Sequence, residues 1–385
     1  MRPALESARL LGQRTGSGNA WPEFEGVLMA TRWAIFGTGG ISAKFVLGLA
    51  RARQARAVLV ASRTGARARR FADALQIERS IEGYAEAARA GGFDAAYIAT
   101  PTSEHVAHAL LCIEAGIPLL VEKPLAMSAA DGRRIADAAR AAGVFCMEAM
   151  WTRFLPAVAR LRQLVAAGEL GDIRQVSGSF GFGYAFDPAL HRFDPARGGG
   201  ALSHLGIYPL SLAQMLLGAP EQVRATGRIG DSGVDEDVTM ALRYRNGALA
   251  SLATSIRAPL GNGFRVSATH GAATLAGPVF RPWGLRIRRH QPRIELAGGA
   301  GLSTRAKLRE GHLAQRLNQW RGLLPAAAGG RHFFAGNGYH YEAEEVARCL
   351  ASGWTESPLM PLADSIAVLD TMDRVRHEIG RKGQA

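Results

Sequence analysis

Residues 31–42 read TRWAIFGTGGIS, and no other stretch constrains the fold as tightly. The apolar run Trp33, Ala34, Ile35, Phe36 passes directly into Gly37, Thr38, Gly39, Gly40, Ile41 and Ser42, and a helical pattern follows from Ala43. That order is a strand, a tight turn and a helix start. A phosphate diester requires such an arrangement: Gly37 allows the sharp turn, Gly39 lets the backbone approach a pyrophosphate, and the small Ser42 lets helix and strand pack closely. The helix N-terminus supplies unpaired N–H groups and about half a positive charge to the anion.

The chain holds 46 glycines, so the pattern needs context. The next strand candidate, residues 57–61, lies one βαβ crossover further on and ends in Ser62-Arg63. An NAD-specific domain places Asp or Glu there, on the ribose 2′-hydroxyl. A guanidinium pairs instead with a 2′-phosphate, so Ser62 and Arg63, with Arg67 one turn on, favour NADP over NAD. The alternative for Arg63 is a solvated residue after a strand.

At 385 residues the chain fits two domains, each able to bury a core. No apolar run approaches the roughly 18 residues that span a bilayer, so a soluble protein without a membrane partner is expected. The net charge of +13 raises the question of nucleic acid. The arginines are scattered, however, and no basic run with interleaved aromatics tracks a phosphate backbone, so no nucleic-acid partner is expected. Cys112, Cys146 and Cys349 are far apart and lack metal-ligand spacing. They read as small buried residues in a reducing, cytoplasmic setting, with neither a disulfide nor a metal site. Residues 1–28 lack the apolar core of a signal peptide and read as a tail, or as preceding a true start at Met29.

From residue 31 to about 150, short apolar runs at 32–36, 57–61, 95–99, 118–121 and 144–148 alternate with amphipathic segments. This is the signature of an α/β Rossmann domain with a parallel sheet, placed at 29–150. Thr100-Pro101-Thr102 and Glu122-Lys123-Pro124 follow two of these strands, at the carboxyl ends where such sheets bind ligands. After a helix at 154–167, strand-like segments at 173–182, 222–228, 238–245, 247–257, 265–269 and 273–275 alternate apolar and polar residues. Arg245-Asn246-Gly247 signals a hairpin. A second α+β domain with a large, mostly antiparallel open sheet is expected over 151–335. Residues 277–330 carry no clear pattern, and helices at 341–352 and 363–379, within a C-terminal segment 336–385, are expected to pack back on the two domains.

The glycine turn, ATP at residues 99–101, EKP at 122–124 and the large second sheet together resemble the glucose-fructose oxidoreductase, inositol dehydrogenase and rhizopine-catabolism family. MEAMWTRFLP at 147–156, GGGALSHLGIYPL at 198–210 and GYHYEAEEV at 338–346 resemble the branch of dimeric dihydrodiol dehydrogenase and NADP-dependent D-xylose dehydrogenase. The resemblance covers nearly everything from Met29 onward. It implies an NADP-dependent dehydrogenase, a sugar, polyol or cyclic trans-diol as substrate, and a homodimer or higher homo-oligomer formed through the open sheet face.

The resemblance also implies that Lys123 hydrogen-bonds the reacting hydroxyl and that Tyr208 acts as acid or base. A neighbouring ammonium stabilises a phenolate and brings its pKa toward the working pH, so the pair suits proton transfer. It further implies a cis Lys123–Pro124 peptide, a ribose contact for Glu122, cofactor-side places for Trp151 and Arg153, and a place near the nicotinamide for His105. Trp151 reads equally as interface packing and His105 as a helix-start residue. His340 reads as structural. One departure stands out: relatives carry Asp where this chain has His204, four residues before Tyr208. Histidine accepts hydrogen bonds when neutral and shuttles protons near neutral pH, so it is a further candidate catalytic group. The loss of the carboxylate leaves open a changed substrate or a non-catalytic dinucleotide-binding protein. A family glycosidase that uses bound NAD transiently is the other alternative.

Overall fold

The computed structural model describes residues 30–52, 54–290 and 329–382. The expected tail over 1–28 and residues 291–328 of the unassigned segment lie outside these.

The first sheet has six parallel strands: β1 (Thr31–Phe36), β2 (Ala55–Ser62), β3 (Arg79–Glu82), β4 (Ala95–Ile98), β5 (Leu119–Glu122) and β6 (Cys146–Ala149). Their order is β3-β2-β1-β4-β5-β6, so the winding reverses between β1 and β4 and opens a crevice at their carboxyl ends. The crossovers are α1 (Gly40–Leu49), α2 (Gly65–Leu75), α3 (Tyr84–Ala90), α4 (His105–Glu114) and α5 (Ala129–Ala142). Central strands are covered on both faces, which is why they read as unbroken apolar runs. Trp33, Ile35 and Phe36 are completely buried, and Phe45 of α1 stacks on Tyr97 of β4 with ring centroids 3.8 Å apart. β3 was not expected. Its sequence, Arg-Ser-Ile-Glu, lies at the sheet edge half exposed and carries no apolar run.

After a 3-10 turn (Trp151–Phe154) and α6 (Pro156–Ala166), the chain builds an eight-stranded sheet. Its strands are β7 (Ile173–Gly181), β8 (Gln222–Ile229), β9 (Asp235–Arg243), β10 (Leu249–Ser255), β11 (Phe264–Ala268), β12 (Gly271–Ala276), β13 (Gly284–Arg289) and β14 (Gly329–Arg331). Only β7 and β10 pair in parallel, so the sheet is mostly antiparallel, as expected. The β9–β10 turn is the hairpin signalled by Asn246-Gly247: Gly247 has φ 80° and donates to the Tyr244 carbonyl at 2.9 Å. β13 and most of β14 lie in the stretch 277–330, which carries no clear pattern. Arg286, Arg288 and Arg289 dominate β13 and mask its alternation.

One face of this sheet packs on α6 and α7 (Ile207–Leu217). The other, the open face through which the resemblance implies oligomer formation, is mostly polar. Its exposed positions include Arg224, Thr226, Thr239, Ala241 and Ser251, with Leu249 and Ile229 as large apolar exceptions. The chain closes with α8 (His340–Ala351), against α1 and the 151–154 turn, and α9 (Leu362–Lys382), along α5, α7 and β8. Arg374 donates to the carbonyls of Pro220 and Glu221, and Asp373 accepts from Ala129 N at 2.8 Å, so α9 ties both sheets together.

Candidate active site

At the crevice, Gly37 has φ 114°, and a Cβ there would lie 2.6 Å from the Ala99 carbonyl oxygen. Only glycine lets β1 and β4 come this close. Gly39 leads into α1 in extended conformation, and no side chain caps that helix, which leaves its first N–H groups for an anion. A Cβ at Gly39 or Gly40 would meet nothing within 4 Å, so both present bare, open backbone. Thr38 and Ile41 flank them half-buried, and Ser42 is fully buried beneath. These residues fit a dinucleotide pyrophosphate.

Ser62 ends β2 buried, with Arg63 and Arg67 exposed beyond it. Burial pushes the Tyr84 phenol up, and Arg63 and Arg67 are close enough to pull it back. Glu82, at the end of β3, accepts from Gly65 N at 2.9 Å and satisfies the start of α2 in place of Thr64. A carboxylate therefore stands at the same strand ends as the two arginines.

Thr100 and Pro101 follow β4, and Glu122 and Lys123 close β5 with the expected cis Lys123–Pro124 peptide. His105 is buried at the start of α4, with Nδ1 2.9 Å from the Pro124 carbonyl and Nε2 3.0 Å from that of Thr100. It pins the two loops to each other, and burial pushes its pKa down to about 4. Glu122 does not reach outward as expected for a ribose contact. It is 6% exposed, and its carboxylate accepts from the Tyr97 hydroxyl and from Lys123 N. Burial raises its pKa, with Lys123 and Tyr97 opposing.

From the helical segment packed on the second sheet come His204 and Tyr208. The corner before them is forced by glycine: Gly198 and Gly200 have φ 82° and 109°, and a Cβ on Gly200 would lie 2.2 Å from Asp235 Oδ1. Asp235 accepts from Leu202 N at 2.6 Å and starts a π turn, Leu202–Gly206, that runs into α7. Single π turns in helices recur at functional sites. Here the i+5 partner of the His204 carbonyl is Pro209, which has no N–H. Lys123 takes its place, with Nζ donating to that carbonyl at 3.0 Å. The same Nζ lies 4.9 Å from the centre of the Tyr208 ring. Lys123, His204 and Tyr208 thus come together across the two sheets, at the carboxyl end of β5.

The electrostatics differ from the sequence expectation in one respect. Tyr208 is 8% exposed, and burial, with Glu122 and Glu342 behind it, drives its phenol above the ordinary range rather than toward neutrality. Trp151 opposes this: its indole N–H lies close enough to favour the phenolate without making a well-aligned bond. Burial lowers the Lys123 pKa, opposed by Glu122 and Glu148. His204 is held neutral by burial and by Lys123, His191 and Arg192.

Trp151 belongs to this site, its ring stacked on Tyr339 at 4.6 Å. Arg153 does not. It is completely buried, and its guanidinium is committed to Ser211 Oγ, the Ser211 carbonyl and Asp364 at 2.8, 2.9 and 2.6 Å, so it clamps the turn to α7 and α9. Sequence reasoning missed Phe180 and Phe280, which pack against Tyr208 with centroids 5.4 and 6.2 Å away, and the buried Glu342. Only the YEAEEV pattern around Glu342 carried a trace of it. His340 is buried in α8, apart from Lys123, His204 and Tyr208, and the three cysteines are free and buried. Among the described residues no cluster fits a metal ion, and no helix is long and apolar enough to cross a membrane.

Comparison with known proteins agrees with the fold. Residues 31–150 match the family described as oxidoreductase family, NAD-binding Rossmann fold, and residues 158–274 match the GFO/IDH/MocA C-terminal domain. The bovine (Bos taurus) trans-1,2-dihydrobenzene-1,2-diol dehydrogenase is 37% identical over 357 residues, 91% of this chain and 98% of its own. The human (Homo sapiens) enzyme of that name is 34% identical over 356 residues, with the same 91% and 98% coverage. In fold, the chain resembles aldose-aldose oxidoreductase from Caulobacter crescentus (TM-score 0.75, 22% identity, 92% of this chain and 98% of that one). It also resembles levoglucosan dehydrogenase, solved with NADH and levoglucosan (TM-score 0.74, 21% identity, 91% and 98%). The chain belongs to the glucose-fructose oxidoreductase, inositol dehydrogenase and rhizopine-catabolism family of NAD-binding oxidoreductases.

Proposed function

We propose that this protein is an NADP-dependent dehydrogenase acting on a secondary hydroxyl of a sugar, polyol or cyclic trans-diol. The observation that carries the reading is the meeting of Lys123 and Tyr208 at the carboxyl end of β5, beside the glycine cradle. Gly37, Thr38, Gly39, Gly40 and Ile41 hold the pyrophosphate, Ser62 and Arg63 the 2′-phosphate, and Thr100 and Pro101 the nicotinamide side. The bound nicotinamide supplies the position that takes or gives the hydride.

Lys123 donates a hydrogen bond to the substrate oxygen and stabilises negative charge on it. Tyr208, protonated in the free protein, donates its proton to that oxygen in the reducing direction. In the oxidising direction it first gives its proton to solvent and then accepts the one from the hydroxyl. His204 anchors Lys123 through its backbone, so the exchange of Asp for His leaves the Lys123 anchor intact. This favours an enzyme over a non-catalytic binder.

The relatives' name supports a cyclic diol, and the half-buried Phe280 and Phe182, packed on Phe180 beside Tyr208, supply an apolar wall for its ring. The chain's free, buried thiols suit the cytoplasm, and pairing of two copies through the polar sheet face completes the proposal. Incubation with NADP and a panel of aldoses, inositols and trans-diols tests it. Reduced cofactor with at least one substrate supports the reading, and silence across the panel with NADP demonstrably bound overturns it.

A further inference from the structure

Beside Lys123 and Tyr208 lies a corner made almost entirely of bases. The rings of His191 and His204 meet edge to face with centroids 4.8 Å apart. His204 Nε2 is buried and has no hydrogen-bond partner. Arg192 is fixed in place: its guanidinium lies 3.9 Å from the centre of the Tyr184 ring, and its carbonyl accepts from Gly200 N at 2.9 Å. The aromatic side chains Tyr208, Phe180, Phe182 and Tyr184 form a continuous strip, with successive centroids 5.4, 5.3 and 5.8 Å apart. The strip runs from the reacting end of the site to Arg192.

We propose that this corner is a carboxylate-binding subsite, and that the substrate is a cyclic hydroxy acid: its reacting hydroxyl meets Lys123 and Tyr208, its ring lies on the aromatic strip, and its carboxylate meets His204, His191 and Arg192. The inference rests on the hydride-transfer reading above and names its substrate class.

The charge pattern supports it. The cations that act on His204 are Lys123 and Arg192, and those that act on His191 are Arg192, Arg197 and Lys123; they favour the neutral form of both rings. Like charges gathered in a partly buried site disfavour one another, and a bound anion relieves that repulsion. A neutral sugar hydroxyl satisfies the His204 nitrogen and leaves the repulsion in place. A carboxylate does both, and its two oxygens match the guanidinium fork. A carboxylate at position 204 would repel such a group, whereas the neutral histidine there admits it.

The test uses the full chain loaded with NADP and two matched pairs: D-glucose with D-glucuronate, and cyclohexane trans-diol with its ring-carboxylated counterpart. Wild type is expected to favour the carboxylate by about tenfold or more in kcat/KM. Arg192→Gln and His204→Asp are each expected to bring the ratio to one or below. Quenching of intrinsic tryptophan fluorescence gives the same comparison as binding constants. A wild-type ratio at or below one, or a ratio unchanged in both variants, overturns the subsite. Where no compound is oxidised, binding decides. A carboxylate preference that both variants lose upholds the subsite while the hydride-transfer reading fails, and equal binding of both members of each pair overturns it.

Discussion

Lys123 donates from Nζ to the backbone carbonyl of His204, 3.0 Å away, and this bond joins the end of a parallel strand to a π turn of the second sheet's helix. The bond leaves the ammonium beside the Tyr208 ring with donors to spare. Lys123→Met removes the donor to the substrate oxygen without touching the glycine cradle. Turnover is expected to fall by about a hundredfold or more while the dissociation constant for NADP changes by less than about threefold. Steady-state kinetics with a cofactor titration checks both.

The Tyr208 phenol is raised by burial, first, and by Glu122. A raised acid stays protonated through neutral pH, so it is ready to donate and slow to accept. Reduction of the carbonyl product is therefore expected to hold its rate through neutral pH and to decline only in the alkaline range. Oxidation of the alcohol is expected to climb as pH rises. Tyr208→Phe should lower both rates by about a hundredfold or more and flatten both profiles. The pH dependence of kcat in each direction makes the comparison.

Arg63 is exposed beyond β2 and, among the described residues, forms no ion pair. Arg63→Ala is expected to weaken NADP by about tenfold or more and NAD by much less, because a charge-assisted bond is worth roughly 1.5–3 kcal/mol. Equal losses for the two cofactors contradict the assignment to the 2′-phosphate. Glu82, bound to Gly65 N, gives the converse: Glu82→Gln removes a negative charge near the same place and is expected to favour NADP over NAD. Isothermal titration with both cofactors reads these changes.

Much of this was legible in the chain. Central strands such as β1 and β4 announce themselves because burial on both faces demands continuous apolar residues, and Gly37 because only glycine tolerates its contact with Ala99. The edge strand β3 and the next-to-edge strand β13 did not: both are partly solvated, and their polar residues erase the pattern. Within the site, the meeting of Lys123 and Tyr208 was implied by their motifs. The fate of Arg153 was not, because nothing local marks its partners Ser211 and Asp364. The Tyr208 pKa escaped for the same reason. An adjacent lysine can be read from a motif, whereas burial among Phe180, Phe280 and Trp151 exists only in three dimensions.

Asp235 starts the π turn from a buried position, and burial pushes its carboxyl up to about 6 against a bond from Leu202 N. A carboxyl whose folded pKa lies above its unfolded one binds more protons when folded, so its contribution to stability is present at low pH and is lost as pH rises through that window. Asp235→Asn keeps an acceptor for Leu202 N and carries no charge. The melting temperature of the variant relative to wild type is therefore expected to increase, on the order of a few degrees, between about pH 4.5 and about pH 7.5. Thermal melts at the two pH values check the sign.

The central claim is that Lys123 and Tyr208 exchange a proton with a hydroxyl while its carbon exchanges a hydride with NADP. It is tested most directly by counting reduced cofactor against carbonyl product in one reaction, for wild type and Tyr208→Phe side by side. The account predicts one carbonyl formed per NADP reduced in wild type, with the rate all but lost in the variant although NADP remains bound. Product formed without net cofactor reduction, or a Tyr208→Phe rate equal to wild type, contradicts it.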